Sequence, residues 1–430
     1  MTEITPPCRF YVEMAGFKGF TCVNRALPGD PDGLCILHCR DKNKDWLAFK
    51  EALLDRLNPM KQDGPKTYDL SGVWFPGSFY CKDILGYDRI FEKAVDFCGA
   101  TFTEKANFTN VNFKQGARFD RATFMKEAYF LYTKFIGEVG FIKTTFEDRA
   151  DFTQATFSER IRFNETTFSG ETFFNKVTFS KESDFSSCLI KNQLVLDRIN
   201  PTSNEEPRKN FRAVLRWIRF TDQGRLVFQD LSMTHVNLIE ADLRQCRFNN
   251  VGWRVIRGRK AVYDEVQLYE GENPTKENYA RVEECYRYLK MNFEAAGDLK
   301  NSGDFHCGEM EMHRRASKWR WFPLYWYNLY RGLSGYGERP LRACLWLLAL
   351  IPLFAGLVWG LGINPAASPD LKTFGDLLLF TFEKATFQRP EVPKNLSLLG
   401  KFLGSLSGLL IPGQAALFIL ALRNRLGRRR

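Results

Sequence analysis

Three cysteines and one histidine near the amino terminus have the types and the spacing of a metal site. Cys8, Cys22, Cys35 and His38 offer three thiolates and an imidazole, a closed tetrahedral ligand set that suits structural zinc. Cys39 directly follows His38 and is a rival ligand. The alternative is that all four side chains are buried without a metal. A catalytic zinc is not expected, because protein ligands fill every position of the set.

Further along the chain, five ionisable side chains share one short segment: His306, Cys307, Glu309, Glu311 and His313. No Ser/His/Asp or paired-carboxylate pattern accompanies them. The glycine-rich stretches of the chain match neither GxxxxGK[ST] nor GxGxxG after a strand. We therefore predict that the protein is not an enzyme. The segment is instead expected to form a solvated, salt-bridged helix face.

Between these two groups, phenylalanine recurs with a fixed spacing over a long segment. The steps alternate between five and six residues, and a small or β-branched residue stands two positions before most of these phenylalanines. No helix has this period, whereas a short repeat with inward residues at fixed steps is typical of a stacked solenoid. The phenylalanines are therefore predicted core residues. They are Phe97, Phe102, Phe108, Phe113, Phe119, Phe124, Phe130, Phe135, Phe141, Phe146, Phe152, Phe157, Phe163, Phe168, Phe174, Phe179 and Phe185.

Residues 150–157, Ala-Asp-Phe-Thr-Gln-Ala-Thr-Phe, resemble the Phe-centred variant of the pentapeptide-repeat family. The resemblance implies a right-handed quadrilateral β-helix, in which two eleven-residue units make one turn. The run would supply roughly four to five turns, and a rod of about 20–25 Å at the usual strand spacing. Cysteine-containing amino-terminal segments that end in Cys-Ile-x-His, as residues 35–38 do, occur ahead of such repeats. This second resemblance implies that zinc is bound there as a structural cofactor.

The other segments are expected to frame this rod. The predicted order is a zinc-knuckle-like segment (1–40), a capping helix (41–64), the β-helix (65–200), an insertion with a helix (201–225), a second pentapeptide run (226–255), a helical connector (274–316) and an interfacial aromatic and basic helix (317–340). The helix in the insertion follows from the helical spacing of Phe211, Val214, Leu215, Trp217 and Ile218. The connector resembles the helical pair that follows the repeats in membrane-bound pentapeptide proteins.

The net charge of +11 indicates an anionic partner. Residues 91–197 contain 14 Lys or Arg and 15 Asp or Glu, so the excess lies outside the rod, beside apolar runs towards the carboxyl terminus. This placement favours a lipid bilayer over nucleic acid. It also disfavours gyrase protection by DNA mimicry, known in some pentapeptide-repeat proteins, which needs an acidic rod. Residues 1–10 lack a secretory signal pattern, so the 11 cysteines are expected to be reduced thiols.

Two apolar runs, residues 343–363 and 398–422, are each long enough to span a bilayer, and a basic tail (423–430) follows. The segment 374–390 between them is too short to span and is predicted to be re-entrant. This order resembles the pore module of tetrameric cation channels. The resemblance implies that the pore is lined by Ala385, Thr386, Phe387, Gln388 and Gln414. Pro412 and Gly413 are the predicted hinge. The T-V-G-Y-G filter is missing, so potassium selectivity is not supported. An ordinary hairpin with an amphipathic helix is the alternative.

Together these features predict a multi-pass protein of a prokaryotic inner membrane. An excess of Lys and Arg flanks the two spans on the sides away from the loop, where four Lys or Arg are matched by four Asp or Glu, and this places both termini in the cytoplasm. Our hypothesis is a homo-oligomeric, tetrameric ion channel whose β-helix senses an unknown cytoplasmic partner or assembles subunits. Such parts also suit a membrane-permeabilising effector of antiviral defence or stress. The alternative is a non-conducting, monomeric membrane-anchored scaffold that binds a protein.

Overall fold

The computed structural model describes ten stretches of the chain: residues 6–12, 20–22, 24–57, 67–86, 88–199, 212–271, 273–322, 325–361, 371–388 and 396–426. The chain divides into two compact units. The first, here the solenoid unit, comprises Met1–Arg254 with Val262–Gln267. The second, here the helical unit, comprises Val255–Ala261 with Leu268–Arg430.

The solenoid unit is a β-solenoid of about seven turns, with four parallel sheets as its faces. The first face contains Thr67–Asp69, Ala94–Asp96, Ala117–Arg118, Val139–Gly140, Ile161–Arg162, Glu182–Asp184, Arg212–Val214 and Val236–Asn237. The second contains Trp74–Phe75, Thr101–Phe102, Thr123–Phe124, Thr145–Phe146, Thr167–Phe168, Leu189–Ile190 and Arg219–Phe220. The third contains Phe79–Tyr80, Ala106–Asn107, Ala128–Tyr129, Ala150–Asp151, Thr172–Asn175, Gln193–Asp197, Arg225–Gln229 and Cys246–Asn249. The fourth contains Ile90–Phe91, Asn112–Phe113, Lys134–Phe135, Thr156–Phe157 and Thr178–Phe179.

The register of these sheets places equivalent residues of successive turns directly above one another. Phe113 pairs with Phe91 on one side and Phe135 on the other, a spacing of 22 residues per turn. The phenylalanine rings therefore form continuous stacks. The Phe130 ring, for example, is stacked on Phe108 at 4.9 Å and on Phe152 at 4.8 Å, and its side chain is fully buried. The prediction of a phenylalanine core is confirmed.

Two kinds of corner explain why the phenylalanine steps alternate between five and six residues. In a five-residue step the corner is a tight turn, such as the one closed by the hydrogen bond from Val111 N to Phe108 O, with Asn110 at φ 58°. A positive φ at the third residue alone identifies a type II turn. The six-residue steps have one more residue and a wider corner. The left-handed position recurs every eleven residues, at Gly99, Asn110, Arg121, Tyr132, Lys143, Gln154, Glu165, Lys176, Ser187 and Arg198.

Buried threonines replace alanine at some of the small inward positions. Their hydroxyl groups are buried and donate to backbone carbonyls of the preceding turn: Thr133 to Phe108 O, Thr144 to Phe119 O and Thr166 to Phe141 O, at 2.8, 2.6 and 2.5 Å. A buried hydroxyl without such a partner would be costly. At these three positions threonine is accepted in the core because its hydroxyl has a partner carbonyl, whereas the hydroxyl of the buried Thr172 has no partner.

The start of the solenoid is covered by helix α1 (Trp46–Arg56), which lies within the predicted capping segment 41–64. The Asp45 carboxylate accepts hydrogen bonds from the first backbone N–H groups of the helix, which is a typical N-cap. Phe49 and Leu53 are the buried residues of this helix, and the Phe49 ring meets Phe75 edge-on with the ring centres 5.8 Å apart. A short antiparallel pair, Tyr11–Val12 with Phe20–Thr21, and helix α2 (Lys82–Leu85) complete this end.

The helix predicted within residues 201–225 is wrong for the part that the structure describes. Arg212–Val214 and Arg219–Phe220 are strands of the first and second faces, and residues 201–211 lie outside the described residues. Ala213, Leu215 and Ile218 are buried in the solenoid core. The apolar spacing of this segment also fits a solenoid turn, and parallel pairing with the preceding turn decides between the two.

In the predicted second pentapeptide run (226–255), the apolar residues at steps of five are all buried. They are Phe228, Met233, Leu238, Leu243, Phe248 and Trp253. Helix α3 (Tyr263–Glu270) follows a hairpin of Arg254–Ile256 and Arg259–Ala261. Within the solenoid unit, the buried Asp264 carboxylate accepts a hydrogen bond from the backbone N–H of Leu238 at 2.9 Å.

The helical unit begins with an antiparallel pair, helices α4 (Lys276–Ala295) and α5 (Leu299–Ala316). Thr275 and Asn278 form a capping box at the start of α4. The residues of α4 that recur at steps of three and four are buried: Tyr279, Val282, Cys285, Tyr286, Leu289 and Phe293. A 3-10 turn (Lys318–Trp321) and helix α6 (Trp326–Ser334) follow, with Trp319, Trp321 and Trp326 exposed.

Three apolar helices complete the unit: α7 (Pro340–Leu361), α8 (Leu371–Ala385) and α9 (Leu398–Leu426). Of these, α7 and α9 are long and apolar enough to cross a membrane. Large apolar side chains of both are exposed, including Leu341 at 70% and Leu409 at 72%. The core helix of a soluble protein would bury such residues.

Candidate functional site

The four predicted ligand residues come together into one buried cluster, here the Cys3His cluster. The ligand atoms of Cys8, Cys22, Cys35 and His38 all lie within 4.8 Å of one another. The Cys22 and Cys35 sulfurs are 3.8 Å apart, which matches the edge of about 3.8 Å that a tetrahedral zinc site with Zn–S bonds of about 2.3 Å requires. The His38 Nδ1 atom lies 3.2 Å from Cys35 Sγ and 3.7 Å from Cys8 Sγ. The cluster can therefore hold a metal ion.

The His38 imidazole is oriented by two contacts outside the cluster. Its Nε2 atom is 3.0 Å from the backbone carbonyl of Ser71, and its ring is stacked on Phe10 at 3.9 Å. Because a carbonyl can only accept, Nε2 carries the proton and donates it. The lone pair of Nδ1 then points at the sulfurs, as in a metal-bound histidine.

The sulfurs accept hydrogen bonds from groups around them. The backbone N–H of Cys35 lies 3.2 Å from Cys8 Sγ, and the Arg56 guanidinium lies 3.4 Å from Cys22 Sγ. Hydrogen bonding with the Cys35 thiol is the main cause that lowers the pKa of Cys22, whereas burial raises the pKa of Cys8. Such donors stabilise thiolates, the form that binds a metal.

The structure brings His38, not Cys39, into the cluster. The Cys39 sulfur lies 3.7 Å from the carbonyl of Ile36, outside the group. Sequence reasoning missed Phe10, Ser71 and Arg56 as neighbours of the cluster. No spacing signal marks them, because the fold of the first solenoid turn and of helix α1 brings Ser71 and Arg56 to the cluster.

The predicted re-entrant segment is helix α8, which packs against the two longer apolar helices. Leu377 is buried against Ala355 and Val358 of α7, and Leu403 of α9 packs against the same cluster. The buried Thr381 hydroxyl lies 3.3 Å from the backbone carbonyl of Ile351. With 15 residues, α8 is about 22 Å long, shorter than a hydrocarbon core of about 30 Å.

The predicted constriction lies in the turn that ends α8. The backbone N–H groups of Thr386 and Gln388 both donate to the carbonyl of Glu383, at 3.2 and 3.1 Å. Phe387 has φ 59° and is 56% exposed, although a left-handed helix C-terminus of this Schellman type favours glycine. Ala385 ends the helix and is partly buried, while Thr386 and Gln388 are exposed. Residues 389 and 390 of the predicted segment lie outside the described residues.

Gln414 faces protein, which suits a polar side chain that is costly to expose to lipid. Its side chain is buried, and its Nε2 donates to the carbonyls of Leu333 and Ala343, at 3.3 and 2.9 Å. Pro412 and Gly413 lie inside the continuous helix α9. A Cβ added to Gly413 would meet no atom within 4 Å, so packing does not require glycine there. The pore role of Gln414 and the hinge role of Pro412 and Gly413 stay predictions.

The carboxylates of α5 are buried, so the expectation of a solvated helix face is wrong. Glu309 and Glu311 are each 5% exposed. Glu311 accepts hydrogen bonds from Arg314 at 2.9 Å, Arg315 at 3.0 Å and the Tyr336 hydroxyl at 2.9 Å. Burial disfavours the ionised form of Glu311, but the hydrogen bond from Arg314 and nearby arginines lower its pKa to about 2. The expectation of salt bridges is confirmed.

The comparisons with known proteins concern the solenoid. A family model described as pentapeptide repeats (9 copies) matches residues 90–134, 130–178 and 141–189. These residues form the middle turns of the solenoid, and the match includes neither the Cys3His cluster nor the apolar helices. No curated protein and no solved structure matches the chain.

Proposed function

We propose that this chain is the subunit of a homo-oligomeric membrane ion channel, in which a pentapeptide-repeat solenoid acts as the sensing or assembly domain. Ions would pass a constriction formed by residues 385–388 of several subunits, four in the simplest arrangement. Two spanning helices per chain cannot enclose a water path, so the proposal requires assembly. It includes no catalytic step and no nucleic acid.

The observation that carries the proposal is the packing of α8. A helix too short to span lies against both long apolar helices through Leu377, and it ends in an exposed turn. Irregular backbone at membrane depth is tolerated only where it meets protein or a water-filled cavity. The exposed side chains of Thr386 and Gln388 would therefore need other subunits or water around them. The strained backbone at Phe387 supports a functional role for the same turn.

The charge distribution supports a specific orientation. Arg331, Arg339 and Arg342 precede or begin α7, and Arg423 and Arg425 lie near the end of α9. The positive-inside rule would place both ends of this hairpin, and with them the solenoid, in the cytoplasm of a prokaryotic cell. Opening would then respond to a cytoplasmic partner, as in a defence or stress effector.

The Cys3His cluster is proposed to hold a structural zinc ion. Its support is the sulfur separation of 3.8 Å and the hydrogen bond that orients His38. Three thiolates and one imidazole are a donor set that zinc prefers, and they leave no open position for catalysis. The ion would fix residues 8–38 against the first solenoid turn.

Current recording in planar bilayers tests the channel. The wild-type full chain should give discrete currents, and Gln388→Ala should change their amplitude. Gln223→Ala is the matched control, since this exposed glutamine lies in a solenoid turn far along the sequence from the hairpin. A chain truncated after Glu338 should be silent. Silence of the wild type across voltages, in a preparation shown to be monomeric, would overturn the proposal.

A non-conducting membrane-anchored scaffold is the second candidate, and Gln414 favours it. The side-chain N–H groups of Gln414 donate to carbonyls of its own chain, so these donors need no second subunit. A scaffold would be monomeric and indifferent to substitution at Thr386 and Gln388. Mass photometry in detergent, followed by the recordings above, separates the two candidates.

A further inference from the structure

The helical unit contains a cavity in which half of the lining residues are arginines. Its volume is about 280 Å³. Of the ten lining residues, five are arginines and one is acidic, and no sequence motif marks them as a group. The lining residues are Arg257, Arg259, Tyr269, Cys307, Glu311, Arg331, Gly335, Tyr336, Arg339 and Arg342. We call this the arginine cavity.

The one carboxylate among the lining residues is already neutralised by arginines that do not line the cavity. Arg314 and Arg315 hold Glu311 at 2.9 and 3.0 Å. The lining residues Arg331 and Arg257 approach the same carboxylate only at 3.7 and 3.8 Å. The cavity therefore has an excess of positive charge that Glu311 does not balance.

Two of the lining arginines are held in position by backbone carbonyls. Arg339 Nη2 donates to Arg257 O at 2.7 Å, and Arg342 Nη1 donates to Arg331 O at 3.2 Å. A guanidinium has five N–H donors, so each keeps donors for a ligand. Gly335 lets Arg339 lie close to the backbone, because a Cβ at position 335 would be 2.9 Å from the Arg339 side chain. These contacts orient the guanidinium groups in advance of binding.

The position of Arg339 and Arg342 at the start of α7 adds to the attraction for anions. The amino terminus of this 22-residue helix carries a partial positive charge, which disfavours cations and favours an anion there. Guanidinium groups bind phosphate in a bidentate way. A phosphate monoester, with up to two negative charges, therefore fits the cavity better than a singly charged diester.

We propose that the arginine cavity is a binding site for a phosphate monoester, supplied either by a lipid headgroup or by a soluble phosphate ester. The site goes beyond the channel proposal and does not depend on conduction. Both sources have the same phosphate chemistry. Arg339 and Arg342 begin the first apolar helix, where a headgroup would lie, and the cavity is also large enough for a small soluble ester.

The test uses the full chain in neutral detergent and follows thermal unfolding by tryptophan fluorescence at constant salt. Glycerol 3-phosphate, a soluble monoester, should raise the unfolding temperature in a saturable way, while the diester glycerophosphocholine should not. The Arg339→Gln/Arg342→Gln variant should bind glycerol 3-phosphate at least about tenfold more weakly. Lys276→Gln/Lys300→Gln is the charge-matched control and should behave as wild type, because both lysines are exposed on α4 and α5.

Native mass spectrometry after reconstitution into lipid discs separates the two sources of the phosphate monoester. Wild type from discs of phosphatidylcholine and phosphatidic acid should retain phosphatidic acid selectively if the source is a lipid, and the arginine variant should lose that selectivity. Binding of glycerol 3-phosphate without lipid selectivity indicates a soluble ester. If the double variant fails to fold, Arg257→Gln replaces it, since this side chain is 61% exposed. The proposal is overturned if neither the monoester nor phosphatidic acid distinguishes the wild type from a folded arginine variant.

Discussion

Replacing the buried carboxylate Glu311 with glutamine tests whether charge holds the helical unit together. Ionised Glu311 is surrounded by Arg314, Arg315 and the hydroxyl of Tyr336, and its pKa falls from 4.5 to about 2. A group whose pKa is lower in the folded state adds stability above its unfolded pKa and loses it as the pH falls. At about 1.4 kcal/mol per pKa unit, ionised Glu311 contributes about 3 kcal/mol at neutral pH.

Glu311→Gln should therefore lower the free energy of unfolding by about 3 kcal/mol at pH 7, with some further loss because Arg314 stays buried without its partner. The difference from wild type should shrink as the pH falls from about 4.5 towards 2, since wild-type Glu311 then also becomes neutral. Guanidinium unfolding of the full chain in detergent measures this difference in the free energy of unfolding. Glu284→Gln, on the exposed side of α4, is the control. An equal loss of unfolding free energy at neutral and acidic pH would refute the reasoning, because the packing of the side chain and not its charge would then be the cause.

Three pairs of substitutions test the solenoid and the Cys3His cluster. Phe130→Ala should cost about 3–5 kcal/mol in unfolding experiments, because its ring is stacked on both sides, whereas Tyr132→Ala at an exposed corner should cost little. Gln154→Gly should stabilise the solenoid by up to about 1 kcal/mol, because glycine adopts the φ of 59° found at position 154 without strain. Gln154→Val should destabilise it. A lower unfolding temperature for the glycine variant than for the valine variant would contradict the turn assignment. Cys35→Ser should abolish stoichiometric zinc in elemental analysis while Cys39→Ser retains it, and equal zinc in both variants would exclude Cys35 as a ligand.

The sequence predicts the solenoid well because each turn repeats the same physical requirement. The spacing of phenylalanines such as Phe113 and Phe135 determines the 22-residue register and the core. The failed helix near residues 212–220 shows the limit, since a repeat interrupted by a long connection loses its period and short apolar spacings then fit two structures. Buried threonines such as Thr133 are also beyond pattern reasoning, because their partner carbonyl lies in the preceding turn.

The two candidate sites also differ in how far the sequence predicts them. The ligands of the Cys3His cluster are recognisable from residue type, but the choice of His38 over Cys39 depends on the fold around Ser71. No local sequence pattern identifies the arginine cavity. Its residues come from the hairpin at Arg257, from helices α3, α5 and α6, and from the start of α7, so only the folded helical unit brings them together.

The 22-residue register also constrains how this protein can change length during evolution. Duplication or loss of one full turn leaves every downstream residue on its own face, with each phenylalanine above its counterpart. An insertion of five residues instead moves all later residues to the next face and exchanges the two kinds of corner. Natural length variants of the middle of the rod should therefore differ by whole turns. The rod can therefore be lengthened or shortened by whole turns, while the structures at its two ends stay unchanged.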